Sequence, residues 1–205
     1  MPKLLNVTAS PRGAHSISRR LGQLYVDRWR ALHPGGQVVD RDLVGSGIPY
    51  LGLDWIAGVY APPEVPRTPD MDRALVLSAA LIAEIVEADE ILISAPMYNF
   101  SVPAVVKSWI DYLVRPGFTF ELAPGWPGLL QDKPVRVLIA TRDHHVAGGE
   151  DDLVTPVIRR AFAFMGVTDV VSLLAGGSLG VNRGEVAMED HVAGFAKAVA
   201  GMVPA

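Results

Sequence analysis

The chain has no cysteine among its 205 residues, which removes disulfides, thiolate nucleophiles and sulfur-ligated metal clusters together and fits a reducing compartment. Clustered basic charge is also missing. Its 18 Lys and Arg are interleaved with 22 Asp and Glu for a net charge of -4, so the footprint of a nucleic-acid binder is not there. No apolar run is long enough for a bilayer. The longest uncharged stretch, Ile91 to Val106, is interrupted by Pro96, Asn99 and Pro103, and a span needs roughly 20 apolar residues. Between Lys3 and Pro11 there is only a short, mostly apolar segment without an Ala-x-Ala type cleavage pattern. The expectation is a cytoplasmic protein, in which the Asn-x-Ser/Thr matches at Asn6 and Asn99 carry no glycan. What is present is a 50% hydrophobic chain with 20 Gly and 16 Pro spread along it, enough for one good core and one domain over residues 1–205.

Short runs rich in Leu, Ile and Val alternate with stretches of helical period, the pattern of strands and crossover helices. Lys3 to Ala9, Val38 to Leu43, Ile91 to Ala95, Val135 to Thr141 and Val170 to Leu174 read as strands. Helices are expected over Ser16 to His33, Thr68 to Ala88, Pro103 to Val114, Leu153 to Met165 and Glu185 to Met202. Thr68 is placed to cap its helix, with Pro69 at the first helical position. Between Gly45 and Arg67 the chain is broken by Pro49, Pro62, Pro63, Pro66 and four glycines, leaving room for one short helix at Leu53 to Tyr60. Gly117 to Leu130 reads as an excursion or hairpin outside the sheet.

Right-handed crossovers of these lengths predict an α/β flavodoxin-like, doubly wound five-stranded parallel sheet of order 2-1-3-4-5 with helices on both faces. Ligands of such sheets bind beyond the carboxyl ends of the strands. The segments to inspect are therefore Ser10 to Ser18, Pro96 to Ser101 and Thr141 to Gly149. The first places Ser10, Ser16 and Ser18 with Arg12 between a strand and a helix start, where free backbone N–H groups favour an anion. It carries neither Gly-x-Gly-x-x-Gly nor Gly-x-x-x-x-Gly-Lys-Ser/Thr, so hydroxyls replace the glycine N–H groups, which suits a monophosphate. Ser16 also serves as a plain helix cap.

The Pro-Met-Tyr-Asn-Phe run at Pro96 to Phe100, the serine-rich loop before it and Leu153-Val154-Thr155-Pro156 after it resemble the FMN-dependent NAD(P)H azoreductases, also described as NAD(P)H:quinone oxidoreductases. The resemblance runs from Lys3 to about Val203. It implies that Ser10, Ser16, Ile17 and Ser18 hold the phosphate and ribityl end of FMN, and that Met97, Tyr98, Asn99 and Phe100 line the isoalloxazine. It further implies a homodimer with the flavin at the interface, and ping-pong two-electron transfer from NADH or NADPH through FMN to quinones and aromatic azo compounds. The Gly45 to Arg67 segment and the aromatic Phe118, Phe120 and Trp126 supply material for a substrate pocket, with Phe120 the substrate contact.

One turn departs from the resemblance. Where such proteins show a Ser-Arg-Gly-Gly-like turn, this chain has Thr141, Arg142, Asp143 and His144, so two side chains stand where the flavin-facing glycines are expected. Either the turn is displaced outward or Asp143 and His144 reach the ring or the substrate. His144 or His145 is then a candidate proton donor, because imidazole titrates near pH 6.5. A metal is not expected at this cluster, since adjacent histidines rarely point at one ion. The run Glu150 to Asp152 reads as favourable charge at a helix N-terminus. No residue is assigned as an obligatory nucleophile or acid. Two rival functions arise: a hydrolase on Gly176-Gly177-Ser178-Leu179-Gly180, and a non-enzymatic flavin carrier or redox sensor. The first is disfavoured because no helix is expected directly after Ser178, which is read as a flexible loop residue, and because Asp190 and His191 are adjacent.

Overall fold

The strand signals convert into one parallel sheet in the computed structural model, which describes residues 1–62 and 64–204; Pro63 and Ala205 lie outside the described residues. The strands are β1 (Lys3–Thr8), β2 (Gln37–Asp42), β3 (Glu90–Pro96), β4 (Val135–Ala140) and β5 (Val170–Ala175), in the order β2-β1-β3-β4-β5. All four pairings are parallel, with Leu4 beside Val38, Thr8 beside Ser94, Ile93 beside Val137 and Ile139 beside Leu174. β4 is buried along its whole length and β3 at every residue but its last, as expected for central strands covered on both faces.

One face packs on α1 (Ile17–Leu32), the other on α2 (Leu53–Tyr60), α3 (Pro69–Glu87), α4 (Ala104–Leu113) and α5 (Val154–Phe164). α1 sits close because Gly22 faces β3: a Cβ there would lie 2.5 Å from Ser94 Oγ. Thr68 caps α3 by accepting from the Met71 N–H at 3.2 Å, with Pro69 at its first position, as the sequence predicted. The acidic run before α5 acts through Asp152, whose carboxylate accepts from the N–H groups of Val154 and Thr155 at 3.0 and 2.9 Å.

Two expectations are corrected at the carboxyl end. Ser178 does not lie in a flexible loop. It opens a short helix, α6 (Ser178–Asn182), because Gly177 takes a left-handed conformation (φ 86°) that turns the chain straight off β5, and the Ser178 N–H donates to Thr141 O at 3.1 Å. The helix expected over Glu185 to Met202 is two, α7 (Met188–Ala193) and α8 (Ala196–Met202), divided at Gly194-Phe195, where glycine is a poor helix former. Both pack with α1, through Val192 and Val199. No helix among the described residues is long and apolar enough to cross a membrane.

Candidate active site

The strand order reverses between β1 and β3, so the turns leaving their carboxyl ends diverge and open a crevice. There the structure has an open cleft of about 190 Å³ lined by Ser10, Arg12, Ser16, Ile17, Ser18, Pro96, Met97, Tyr98, Ala140, Arg142, Ser178 and Asn182. At one end α1 begins. Ser16 Oγ accepts from the Arg19 N–H at 3.2 Å and lies 3.1 Å from Ser18 Oγ, while the Ile17 and Ser18 N–H groups have no hydrogen-bond partner among the described residues. Ser10, Ser16 and Ser18 are all buried. Two backbone donors without a partner among the described residues and three hydroxyls at a positive helix end make a donor set of the kind that favours an anion.

The opposite wall is built differently. Met97 donates its N–H to Ala140 O at 2.9 Å, which extends the β3 to β4 pairing past Pro96. Tyr98 and Ser101 then exchange backbone hydrogen bonds of 3.0 and 3.1 Å across Asn99 and Phe100, both at positive φ (48° and 70°). That is a two-residue turn of the I′ kind, which normally selects Asn-Gly. Phenylalanine in the left-handed region is strained, and such strain gathers at ligand-clamping loops. The Phe100 carbonyl is held by the Leu153 N–H at 3.0 Å.

The third wall comes from the turns after β4 and β5. Thr141 is buried and donates its hydroxyl to Asp143 O at 2.7 Å, while the Ser178 and Leu179 N–H groups reach Thr141 O and Arg142 O. Arg12 crosses the mouth to donate to Asn182 Oδ1 at 2.7 Å. The charged residues on the wall are Arg12 and Arg142, with no carboxylate among the lining side chains. Arg142 is mostly exposed and only 3.8 Å from the exposed Asp143 carboxylate, a pair that contributes little.

A family model described as a flavodoxin-like fold matches residues 2–199. The FMN-dependent NADH:quinone oxidoreductase 2 of Jannaschia sp. is 39% identical, covering 94% of this chain and 95% of the relative. The chain belongs to the flavodoxin-like family of the FMN-dependent NADH:quinone oxidoreductases. A second member, FMN-dependent NADH:quinone oxidoreductase 8 of Burkholderia lata, is 36% identical over 98% of this chain and 95% of its own length. Among solved structures, an azoreductase from Bacillus anthracis superposes with TM-score 0.83 at 26% identity, covering 98% of this chain and all of that one.

Of the residues that membership in this family pointed to, the cleft brings together Ser10, Ser16, Ile17, Ser18, Met97, Tyr98 and Arg142. Asn99 and Phe100 stand exposed on the adjoining turn, outside the lining. Thr141 and Asp143 close the third wall from behind. His144 turns onto the next loop: a Cβ at Gly176 would meet its Nδ1 at 2.7 Å, and one at Gly177 its Nε2 at 3.2 Å. The turn thus keeps His144 because the neighbouring turn supplies two glycines. Beside it His191 is held below the usual imidazole range by burial and by His144. Among the described residues His191 Nε2 has no hydrogen-bond partner, so no Ser-His-acid relay forms at Ser178 even though a helix does follow it. Phe120 is buried against Phe164, with ring centroids 4.8 Å apart, away from the cleft of its own chain.

Ser178, Asn182, Pro96 and Ala140 are wall residues that sequence reasoning missed. The carboxyl-edge rule applies to the turn after β5 as much as to the others.

Proposed function

We propose that the cleft binds FMN and that the protein is an FMN-dependent NAD(P)H oxidoreductase acting on quinones and aromatic azo compounds. The observation that carries this is the cradle at α1: two partnerless backbone N–H groups and three buried hydroxyls, on a cleft with two guanidiniums and no carboxylate. That donor set fits a phosphate dianion, and the Pro96, Met97 and Tyr98 wall fits the edge and face of a flat ring. FMN, when bound, supplies the two-electron chemistry between a nicotinamide and an aromatic acceptor.

The chain's own residues bind, orient and exclude water. Ser10, Ser16, Ile17 and Ser18 take the phosphate end, and Met97 and Tyr98 flank the ring. The strained Asn99-Phe100 turn stands beside this wall, where its backbone groups and the Asn99 amide would meet the ring's polar edge. Arg142 and the Thr141 to His144 turn limit the cleft on the β4 side. No side chain is needed as an obligatory acid, and the structure points His144 at Gly176 and Gly177 instead of the cleft.

The ring side is open in one copy, and the reading therefore includes a homodimer. α4, the Val114 that follows it and α5 present Ile110, Val114, Val157, Ala161 and Phe164 along an open apolar groove of about 540 Å³. Half-exposed Phe118 and Trp126 stand on the excursion that carries Phe120. A second copy covering this face would bring each excursion toward the other's cleft, which gives Phe120 its place near substrate. The chain would work as a single cytoplasmic domain.

The visible spectrum of purified protein, followed by anaerobic NADH and then NADPH, tests the function. A yellow protein bleached by either donor and recoloured by a quinone is the expected result. Bound flavin that stays oxidised with both donors identifies a carrier or sensor, and failure to take up FMN refutes the assignment. Sedimentation of the holoprotein tests the dimer.

A further inference from the structure

We propose that Arg19 is the positioning residue of the phosphate cradle, and that its planar fork, not its charge alone, gives the site its preference for a phosphorylated flavin. This rests on the reading of the cleft as an FMN site. Arg19 does not line the cleft, yet it touches every piece that frames the cradle. Its backbone N–H donates to Ser16 Oγ at 3.2 Å. From the side chain, Nε donates to Ser10 O at 2.9 Å, Nη1 to Thr8 Oγ1 at 2.9 Å and Nη2 to Asp42 Oδ1 at 2.7 Å. One residue therefore joins the carboxyl end of β1, both ends of the Ser10 to Ser16 loop and the end of β2.

The loop between these anchors has little else to hold it. Its contacts are the short 3-10 turn at Gly13–His15, the Arg12 strap to Asn182 and two long 3.4 Å bonds, from the Arg12 N–H to Ser10 Oγ and from the exposed Arg20 Nε to Ala14 O. Gly13 is in the left-handed region (φ 54°) and Gly13, Ala14 and His15 are exposed, so the segment buries no anchor of its own. Where the Ser10 carbonyl is fixed, the Ser10 side chain is fixed with it, and Ser10 is one wall of the cradle. Asp42 in turn orients the fork. Burial works to raise its pKa, but the Arg19 hydrogen bond and the N–H groups of Val44 and Gly45 hold it below the usual carboxylate range, so it stays ionised opposite the guanidinium.

A lysine in this place keeps the charge but offers one compact ammonium, which cannot reach three acceptors set out in a plane. The experiment compares FMN with riboflavin, which lacks the phosphate, by fluorescence titration of apoprotein for wild type, Arg19→Lys and Arg19→Gln. Wild type is expected to bind FMN far more tightly than riboflavin. Both variants should lose about tenfold or more in FMN affinity while riboflavin affinity stays within about twofold, because the contacts that Arg19 orders frame only the phosphate end and a hydrogen bond to a charged group is among the stronger ones. Retained discrimination in Arg19→Lys overturns the proposal, whatever Arg19→Gln does. Parallel loss of both flavins in both variants also overturns it, since that marks Arg19 as a general scaffold residue. Wild type that binds the two flavins equally refutes the cradle itself.

Discussion

Phe100 offers a direct test of whether the turn at the cleft stores strain. Its φ of 70° and the paired backbone bonds between Tyr98 and Ser101 hold an L-residue in the left-handed region. That conformation costs an L-residue about 1–2 kcal/mol and glycine almost nothing. Replacing Phe100 by Ala and by Gly removes the same half-exposed ring in both cases, so the two variants differ chiefly in this cost. Against it stands the greater freedom that glycine gains on unfolding, about 0.4–1 kcal/mol. Phe100→Gly should therefore be more stable than Phe100→Ala by about 0.5–1 kcal/mol, or a few degrees in Tm for a chain of this size. Urea denaturation of the apoproteins measures it. The control is Lys197, exposed within α8, where the order reverses and Ala should exceed Gly by about 1 kcal/mol. Alanine equal to or better than glycine at position 100 would refute the claim that the turn is strained. If the strain also shapes the ring site, FMN affinity should fall in Phe100→Gly although stability does not.

Ser16→Ala removes the α1 cap and a cradle hydroxyl together, and should cost about 1 kcal/mol in apoprotein denaturation along with a selective loss of FMN over riboflavin. Ser94 Oγ is buried beside Gly22 without a partner among the described residues, so Ser94→Ala should be neutral or stabilising, whereas Gly22→Ala should destabilise by about 1–3 kcal/mol through overpacking of α1 on β3. Burial raises the pKa of Glu90, against the hydrogen bonds from Tyr25 and Trp29 that favour its ionised form. The native state therefore binds this proton more tightly than the unfolded chain, and its contribution to stability falls as pH rises from about 4.3 through the raised value. Glu90→Gln lacks this slope, so in denaturation series across pH its stability relative to wild type should improve as pH rises. Asp152 has the opposite sign: burial pushes its pKa up, but the N–H groups of Gly148, Thr155 and Val154 outweigh that and hold it low. The advantage of wild type over Asp152→Asn should be present above about pH 3.9 and shrink as pH falls through the native value.

The strands, the α3 cap and the serine-rich helix start were legible in the sequence because each is a local signal. Burial on both faces writes a continuous apolar strand, a cap needs Thr68 beside Pro69, and an anion site at a helix start needs donors within a few residues of one another. The meeting of the cleft's walls was less so. Ser178 and Asn182 face Arg12 across about 170 residues of chain, and only the packing of β5 beside β4 puts the turn after one against the turn after the other. The same holds for His144, which sequence reasoning aimed either at the flavin or outward. Its direction was decided by Gly176 and Gly177 on the turn after β5, where the absence of a side chain leaves room for the ring. Arg19 looked like an ordinary polar position of α1, and its fork acquired a role once β1 and β2 were brought side by side. Composition and periodicity determined which elements form and that they make a covered parallel sheet. Which side chains meet at its carboxyl edge was settled by tertiary structure, because contacts between turns depend on strand order and register, and neither is written within a single turn.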